Sequence, residues 1–210
     1  MKELSQIFIT ASCTISNGTV YKNDLPLFEN REASPAEFLV AAYRHFEIQY
    51  PKFHKMDSLS KLGWLAAEIL LKDSLNAGEY EADAVGVVFA NASSSLDTDI
   101  KYYETAKSIA SPALFVYTLP NIVIGEICIR HGFKGENAFF ISDVFDAGFI
   151  EQYVTNLINN DILQACICGW VEILDDQYKT VLFLAEKGRD GQGVLFTKEN
   201  INNIYQLENG

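Results

Sequence analysis

Positive charge is scarce in this chain. Sixteen Lys and Arg stand against 28 Asp and Glu, a formal net charge of −12 over 210 residues. That balance argues against nucleic acid or an anionic membrane surface as a partner, because both need a basic face. Long apolar runs are also missing. No stretch approaches the roughly 18 apolar residues that span a bilayer. No amino-terminal segment joins a basic region to an apolar one, so no signal peptide is expected and the expected location is cytoplasmic. Cysteine is limited to Cys13, Cys128, Cys166 and Cys168, without metal-ligand spacing and among apolar neighbours. That pattern argues against zinc sites and disulfides, and no metal or cofactor is expected. Histidine is limited to His45, His54 and His131, read as surface or capping residues.

What is present is apolar and aromatic: 49% hydrophobic and 12% aromatic residues give a globular chain with one sizeable core. Residues 6–13 alternate and are β-branched, as in an opening strand. Ser34-Pro35-Ala36-Glu37 carries a serine cap, a proline at the first position and a glutamate at the third, so a helix is predicted from there to about residue 50, where Pro51 stops it. After Met56-Asp57-Ser58, the spacing of Leu62, Leu65, Ala66, Ile69 and Leu70 predicts a second helix that ends near residues 76–78. Residues 84–90 read as a strand buried on both faces. Residues 91–98 read as a Ser-rich loop and 100–107 as a weak helix. Helices are expected over 121–132 and 147–159. Strands are expected over 138–141, 165–174 and 180–185, the last two joined through Asp175-Asp176-Gln177. On the 165–174 strand Cys166 and Cys168 share one face as core thiols. The rest, 188–210, reads as loop and polar tail, without repeat or linker.

Three local patterns carry little chemistry. Gly188, Gly191 and Gly193 are expected to precede no helix, which argues against a phosphate cradle. Ser93-Ser94-Ser95 lacks a neighbouring base and the Gly-x-Ser-x-Gly elbow. Asp143 and Asp146 suit a turn and a helix N-terminus, where acidic groups complement free N–H donors.

The most specific stretch is Ser111-Pro112-Ala113-Leu114-Phe115-Val116-Tyr117-Thr118-Leu119-Pro120-Asn121, then a helix-like run and Gly132-Phe133-Lys134-Gly135-Glu136-Asn137. It resembles the segment of β-ketoacyl synthases, in the thiolase superfamily, that leads to the catalytic cysteine. Where the family places Thr-Ala-Cys-x-Ser-Gly, this chain has Ile141-Ser142-Asp143-Val144-Phe145-Asp146-Ala147-Gly148. Counting forward puts the lost nucleophile at Val144; counting back from Gly148 puts it at Phe145. Neither side chain can form a thioester. None of the three histidines matches a catalytic position of the family, whose pair lies in its second half.

The resemblance implies an α/β thiolase-like half-fold, with one mixed five-stranded sheet and helices on both faces, as a single N-terminal-like domain over 1–210. The polar residues along 147–159 fit a face that meets water, hence a standalone half-fold. The family's activity is 3-oxoacyl-carrier-protein synthesis, an acyl transfer. Members that lose the cysteine resemble chain-length factors, and the chain is then not catalytic alone. This implies pairing with a full-length ketosynthase, or with a second copy, in fatty-acid, aryl-polyene or polyketide elongation, with acyl carrier protein involved indirectly. The pairing edge would be Ala138, Phe139, Phe140 and Ile141, with Phe133 beside it. Leu96, Ile100 and Tyr103 would border the acyl pocket, with Phe145 plugging the space a cysteine opens onto. The alternatives are a small acyl-thioester hydrolase or decarboxylase with relocated chemistry, and a homodimeric scaffold.

Overall fold

The computed structural model describes residues 6–76, 78–188 and 191–206. Its strands are β1 (Ile7–Ser16), β2 (Thr19–Lys22), β3 (Leu25–Glu29), β4 (Val85–Asn91), β5 (Asn137–Ile141), β6 (Ala165–Leu174), β7 (Gln177–Lys187) and β8 (Val194–Leu195). Its helices are α1 (Pro35–His45), α2 (Ser58–Leu71), α3 (Leu96–Ala106), α4 (Pro112–Phe115), α5 (Ile122–His131), α6 (Ala147–Asn159) and α7 (Lys198–Gln206). The strands form one mixed sheet in the order β3-β2-β1-β7-β6-β4-β5, with β8 added beside β1. Strands β6, β4 and β5 run parallel, and β7 is antiparallel to both β1 and β6.

The sheet has eight strands rather than the five expected. Two of the additional strands are a hairpin, β2–β3, turned by Asn23 and Asp24, both at positive φ as a tight hairpin turn requires. The third, β8, has only two residues.

Central strands are buried on both sides because their side chains feed two separate cores. Val87 and Phe89 of β4, Ile167 and Val171 of β6 and Leu182 and Leu184 of β7 face α1, α2 and α5. Val88 and Ala90, Cys166 and Cys168, and Val181 and Phe183 face α6 and α7. Strand β1 switches layers midway: Ile7 and Ile9 point to the second core, Ala11, Cys13 and Ile15 to the first. A register shift between Ile9 and Ala11 accounts for this, because one extra residue reverses every side chain beyond it.

The helix starts follow their sequence signals. Ser34 makes the full capping box with Glu37. Asp57 caps α2, accepting from the Ser60 N–H at 3.0 Å. Gly132 ends α5 in the left-handed conformation at φ 75°, its N–H on the Cys128 carbonyl. Helix α1 ends at His45 rather than about residue 50, α2 ends at Leu71 rather than near 76–78, and residue 77 lies outside the described residues. Helix α2 is the spine of the first core, and Gly63 sets how closely it can lie. A Cβ there would sit 2.7 Å from Val123 of α5 and 3.1 Å from Val171 of β6.

The expected polar tail is a correction. Residues 198–206 form α7, with Ile201 fully buried and Phe196 nearly so. Ile201, Ile204 and Tyr205 lie on one face of this otherwise polar helix and join the second core. Residues 207–210, also assigned to the tail, lie outside the described residues.

Helices α2 and α5 are also tied by charge. Glu68 meets Arg130 Nε at 3.2 Å and His131 Nε2 at 2.7 Å. Burial raises the Glu68 carboxyl's pKa, but hydrogen bonds and charge from His131 and Arg130 outweigh it, leaving the group below the usual carboxylate range. A depressed folded-state pKa adds stability above the unfolded value of about 4.3, and that stability is lost as pH falls through the folded value. Urea unfolding between pH 7 and pH 3 is therefore expected to show stability falling below about pH 4. A Glu68→Gln variant should be less stable at neutral pH and flatter across that window.

Candidate functional site

The carboxyl ends of β4 and β5 carry the turns where this architecture concentrates function. Asn91, the last residue of β4, is fully buried. Its Oδ1 accepts from the Ser94 N–H and its Nδ2 donates to the Ser94 carbonyl, both at 2.9 Å. Its own carbonyl accepts from the Ser142 N–H just after β5, also at 2.9 Å. From β6, Glu172 Oε2 accepts from the N–H groups of Ala92 and Ser93. One asparagine and one glutamate thus fix both turns relative to the sheet.

Helix α3 leaves this frame with its polarity reversed. Its buried residues are Asp97 and Thr98. Leu96, Ile100 and Tyr103, at i, i+4 and i+7 on one stripe, are 44%, 48% and 64% exposed. The buried polar groups are satisfied: the Thr98 hydroxyl donates to Asp57 Oδ2 at 2.6 Å, and Asp97 pairs with Lys101 at 2.6 Å. Ser95 Oγ ties the start of the helix to the Thr118 carbonyl at 3.0 Å. The expectation of a loop over 91–98 was three residues too long, since α3 begins at Leu96.

The Ser111–Asn121 motif folds into α4 and a turn. Tyr117 is buried and donates to Glu126 Oε1 at 3.2 Å, while Lys52 sits 2.7 Å from Glu126 Oε2. Burial first, and the Glu126 charge second, push the Tyr117 phenol well above its usual range. Phe115, Val116 and Leu119 are exposed, so this segment too shows its apolar side chains outward.

Strand β5 is an edge of the sheet, paired only with β4 among the described residues. Ala138, Phe139 and Phe140 are half-buried and Ile141 is exposed. Phe140 packs edge-on against Phe149 and Tyr153 of α6. Phe133 stacks on His131, 5.3 Å between ring centres.

In the turn between β5 and α6, where the resemblance places the lost nucleophile, Val144 is exposed and Phe145 packs inward. Phe145 stacks on Tyr205 of α7 at 4.2 Å and meets the Trp170 ring edge-on at 6.0 Å. The Ser142 hydroxyl donates to the Val144 carbonyl, and Asp146 caps α6 through the Phe149 N–H. Cys166 and Cys168 lie in the α6 core, whereas His45, His54 and His131 pack against rings of the opposite layer. Burial raises the Cys168 thiol well above its usual range. Among the described residues no group of acidic, histidine and cysteine side chains could hold a metal ion. The described residues contain no helix long and apolar enough to cross a membrane. The loop 188–193 is followed by β8 and then α7, so a helix does come after it, though not directly; residues 189 and 190 lie outside the described residues.

Sequence reasoning reached Leu96, Ile100 and Tyr103 but missed Asn91 and Glu172. Glu172 meets Ala92 and Ser93 only through strand order, and the Asn91 side chain closes a local turn with Ser94 inside a Ser-rich run that read simply as loop.

If α7 is integral, Ile201→Ala should cost about 2–4 kcal/mol, as for a buried core residue. A loosely held tail would lose less than about 0.5 kcal/mol in thermal unfolding.

No protein-family model and no curated protein matches the sequence. Solved structures do. The ishigamide ketosynthase/chain length factor aligns at a TM-score of 0.65 and 15% identity, over 89% of this chain and 63% of that one. A ketosynthase (ApeO) in complex with its chain length factor (ApeC) from Xenorhabdus doucetiae aligns at 0.56 and 16% identity, over 87% and 79%. A β-ketoacyl synthase from Burkholderia phymatum aligns at 0.58 and 14%, over 87% and 59%. The chain thus spans less than two-thirds of the length of the ishigamide protein and of the Burkholderia synthase. The fold of the described residues, with eight strands and seven α-helices, matches the half-fold of ketosynthase and chain-length-factor structures.

Proposed function

We propose that this protein is a non-catalytic subunit of chain-length-factor type, pairing with an active ketosynthase in fatty-acid, aryl-polyene or other polyketide elongation. The observation that carries the reading is the reversed polarity of α3. A helix that buries aspartate and threonine while showing leucine, isoleucine and tyrosine to solvent has its apolar side reserved for something outside the chain. Covering those three half-exposed side chains would contribute roughly 1 kcal/mol each. The β5 edge, paired only with β4 among the described residues, offers main-chain N–H and C=O groups to a second edge strand.

In such a pair β5 would join the partner's strand, with Phe133 at the rim. Leu96, Ile100 and Tyr103 would border the partner's acyl pocket, and Phe145 would fill from within the space a cysteine opens onto. Acyl carrier protein would then act through the synthase. A hydrolase or decarboxylase with relocated chemistry gains no support from the turn, where the Ser142 hydroxyl and the Asp146 carboxylate are engaged by backbone groups.

Co-expression with a full-length ketosynthase tests the reading. The two chains are expected to co-purify, Ile100→Glu should weaken the pair at least about tenfold, close to 1.4 kcal/mol, and Ile100→Ala should alter product length. A stable chain that ignores every synthase, or a wild-type chain that hydrolyses acyl-thioesters alone, would contradict it.

A further inference from the structure

Helix α5 contains a glycine with no internal explanation. Gly125 lies mid-helix, where glycine is the least favourable residue short of proline. Its φ is not positive, so ordinary residues could adopt its backbone conformation. Nor is it crowded: a Cβ added there would meet nothing of its own chain within 4 Å. Gly63 is the contrast, because there two valines forbid a side chain. Gly125 is also exposed, on a stripe with Asn121 before it and Ile129 after it, and Ile129 is 70% exposed.

The location suggests what the missing side chain makes room for. Helix α5 packs over β4 and β5, at the end of the sheet where β5 is paired only with β4 among the described residues. An edge strand of a second subunit joined to β5 would extend the sheet past this helix and bring that subunit's own covering elements against it. On the reading proposed above, we infer that the outer face of α5 is part of the subunit contact. An apolar side chain of the partner synthase would seat against the bare Cα of Gly125, flanked by Asn121 and Ile129. The contact is therefore wider than the strand edge and the α3 stripe, and any side chain at position 125 competes with the partner for one notch.

Three variants test this by sedimentation velocity with the co-expressed full-length ketosynthase and with the protein alone: Gly125→Ala, Gly125→Leu, and Gln152→Leu on the exposed polar face of α6 as control. The melting temperature of each Gly125 variant should equal or exceed that of the wild type, because a helix-favouring residue enters open space. The dissociation constant of the pair should rise severalfold for alanine and at least tenfold for leucine, with the control unchanged. A Gly125→Leu chain that pairs as tightly as wild type overturns the inference and leaves the subunit reading intact. A variant that loses its melting temperature along with pairing also overturns it, since the glycine would then serve the fold. Wild-type association only with itself rejects the synthase as occupant. A wild-type chain that stays monomeric in both settings overturns the subunit reading and this inference together.

Discussion

The hydrogen bond from the Thr98 hydroxyl to the buried Asp57 carboxylate, 2.6 Å long, is the constraint on which the candidate site depends. The same carboxylate caps α2 through the Ser60 N–H. One side chain therefore fixes both the start of the core helix and the rotation of α3 about its own axis. A buried carboxylate without partners would cost several kcal/mol, so α3 is held with Thr98 inward. Its apolar stripe must then face outward. The outward face of Leu96, Ile100 and Tyr103 follows from how the polar groups are satisfied inside, and it is as determined as the core.

The β6 thiols and the histidines lie in different layers, whereas Cys13 and Cys128 share the layer of the histidines. The sheet separates Cys166 and Cys168 from all three histidines, and α7 covers Phe145 in the turn between β5 and α6. A thiol raised by burial and held away from any imidazole is chemically quiet. The described residues share the half-fold of ketosynthase and chain-length-factor structures, and the motif residues from Ser111 to Asn137 work structurally. They cap α4, turn the chain into α5 and end that helix at Gly132 before β5 begins.

Much of this was legible in the sequence where the signals are local. The Ser34 and Gly132 caps, the apolar spacing of α2 and the continuous burial of β4 all follow from residues close in the chain. The β2–β3 hairpin was missed although Asn23-Asp24 is a good turn, because Pro26 weakens the following run as a strand. Helix α7 was missed because Ile201, Ile204 and Tyr205 are outnumbered by asparagine and other polar residues, so composition hid a valid apolar face. Of the candidate site, the exposed stripe was legible as residues but not as a surface. Whether Leu96 and Ile100 point inward or outward depends on Asp57 and Glu172, which lie far along the chain, and on the buried turn that Asn91 closes with Ser94.

Amide hydrogen exchange on the free chain and on the chain mixed with a full-length ketosynthase measures the central point most directly, namely that the outward apolar face of α3 is covered by another protein. The account predicts slowed exchange confined to α3, the 111–121 segment, α5 and β5, with α6 and α7 unchanged. Equal exchange in those segments with and without the synthase, or protection appearing on α6 and α7 instead, would contradict it.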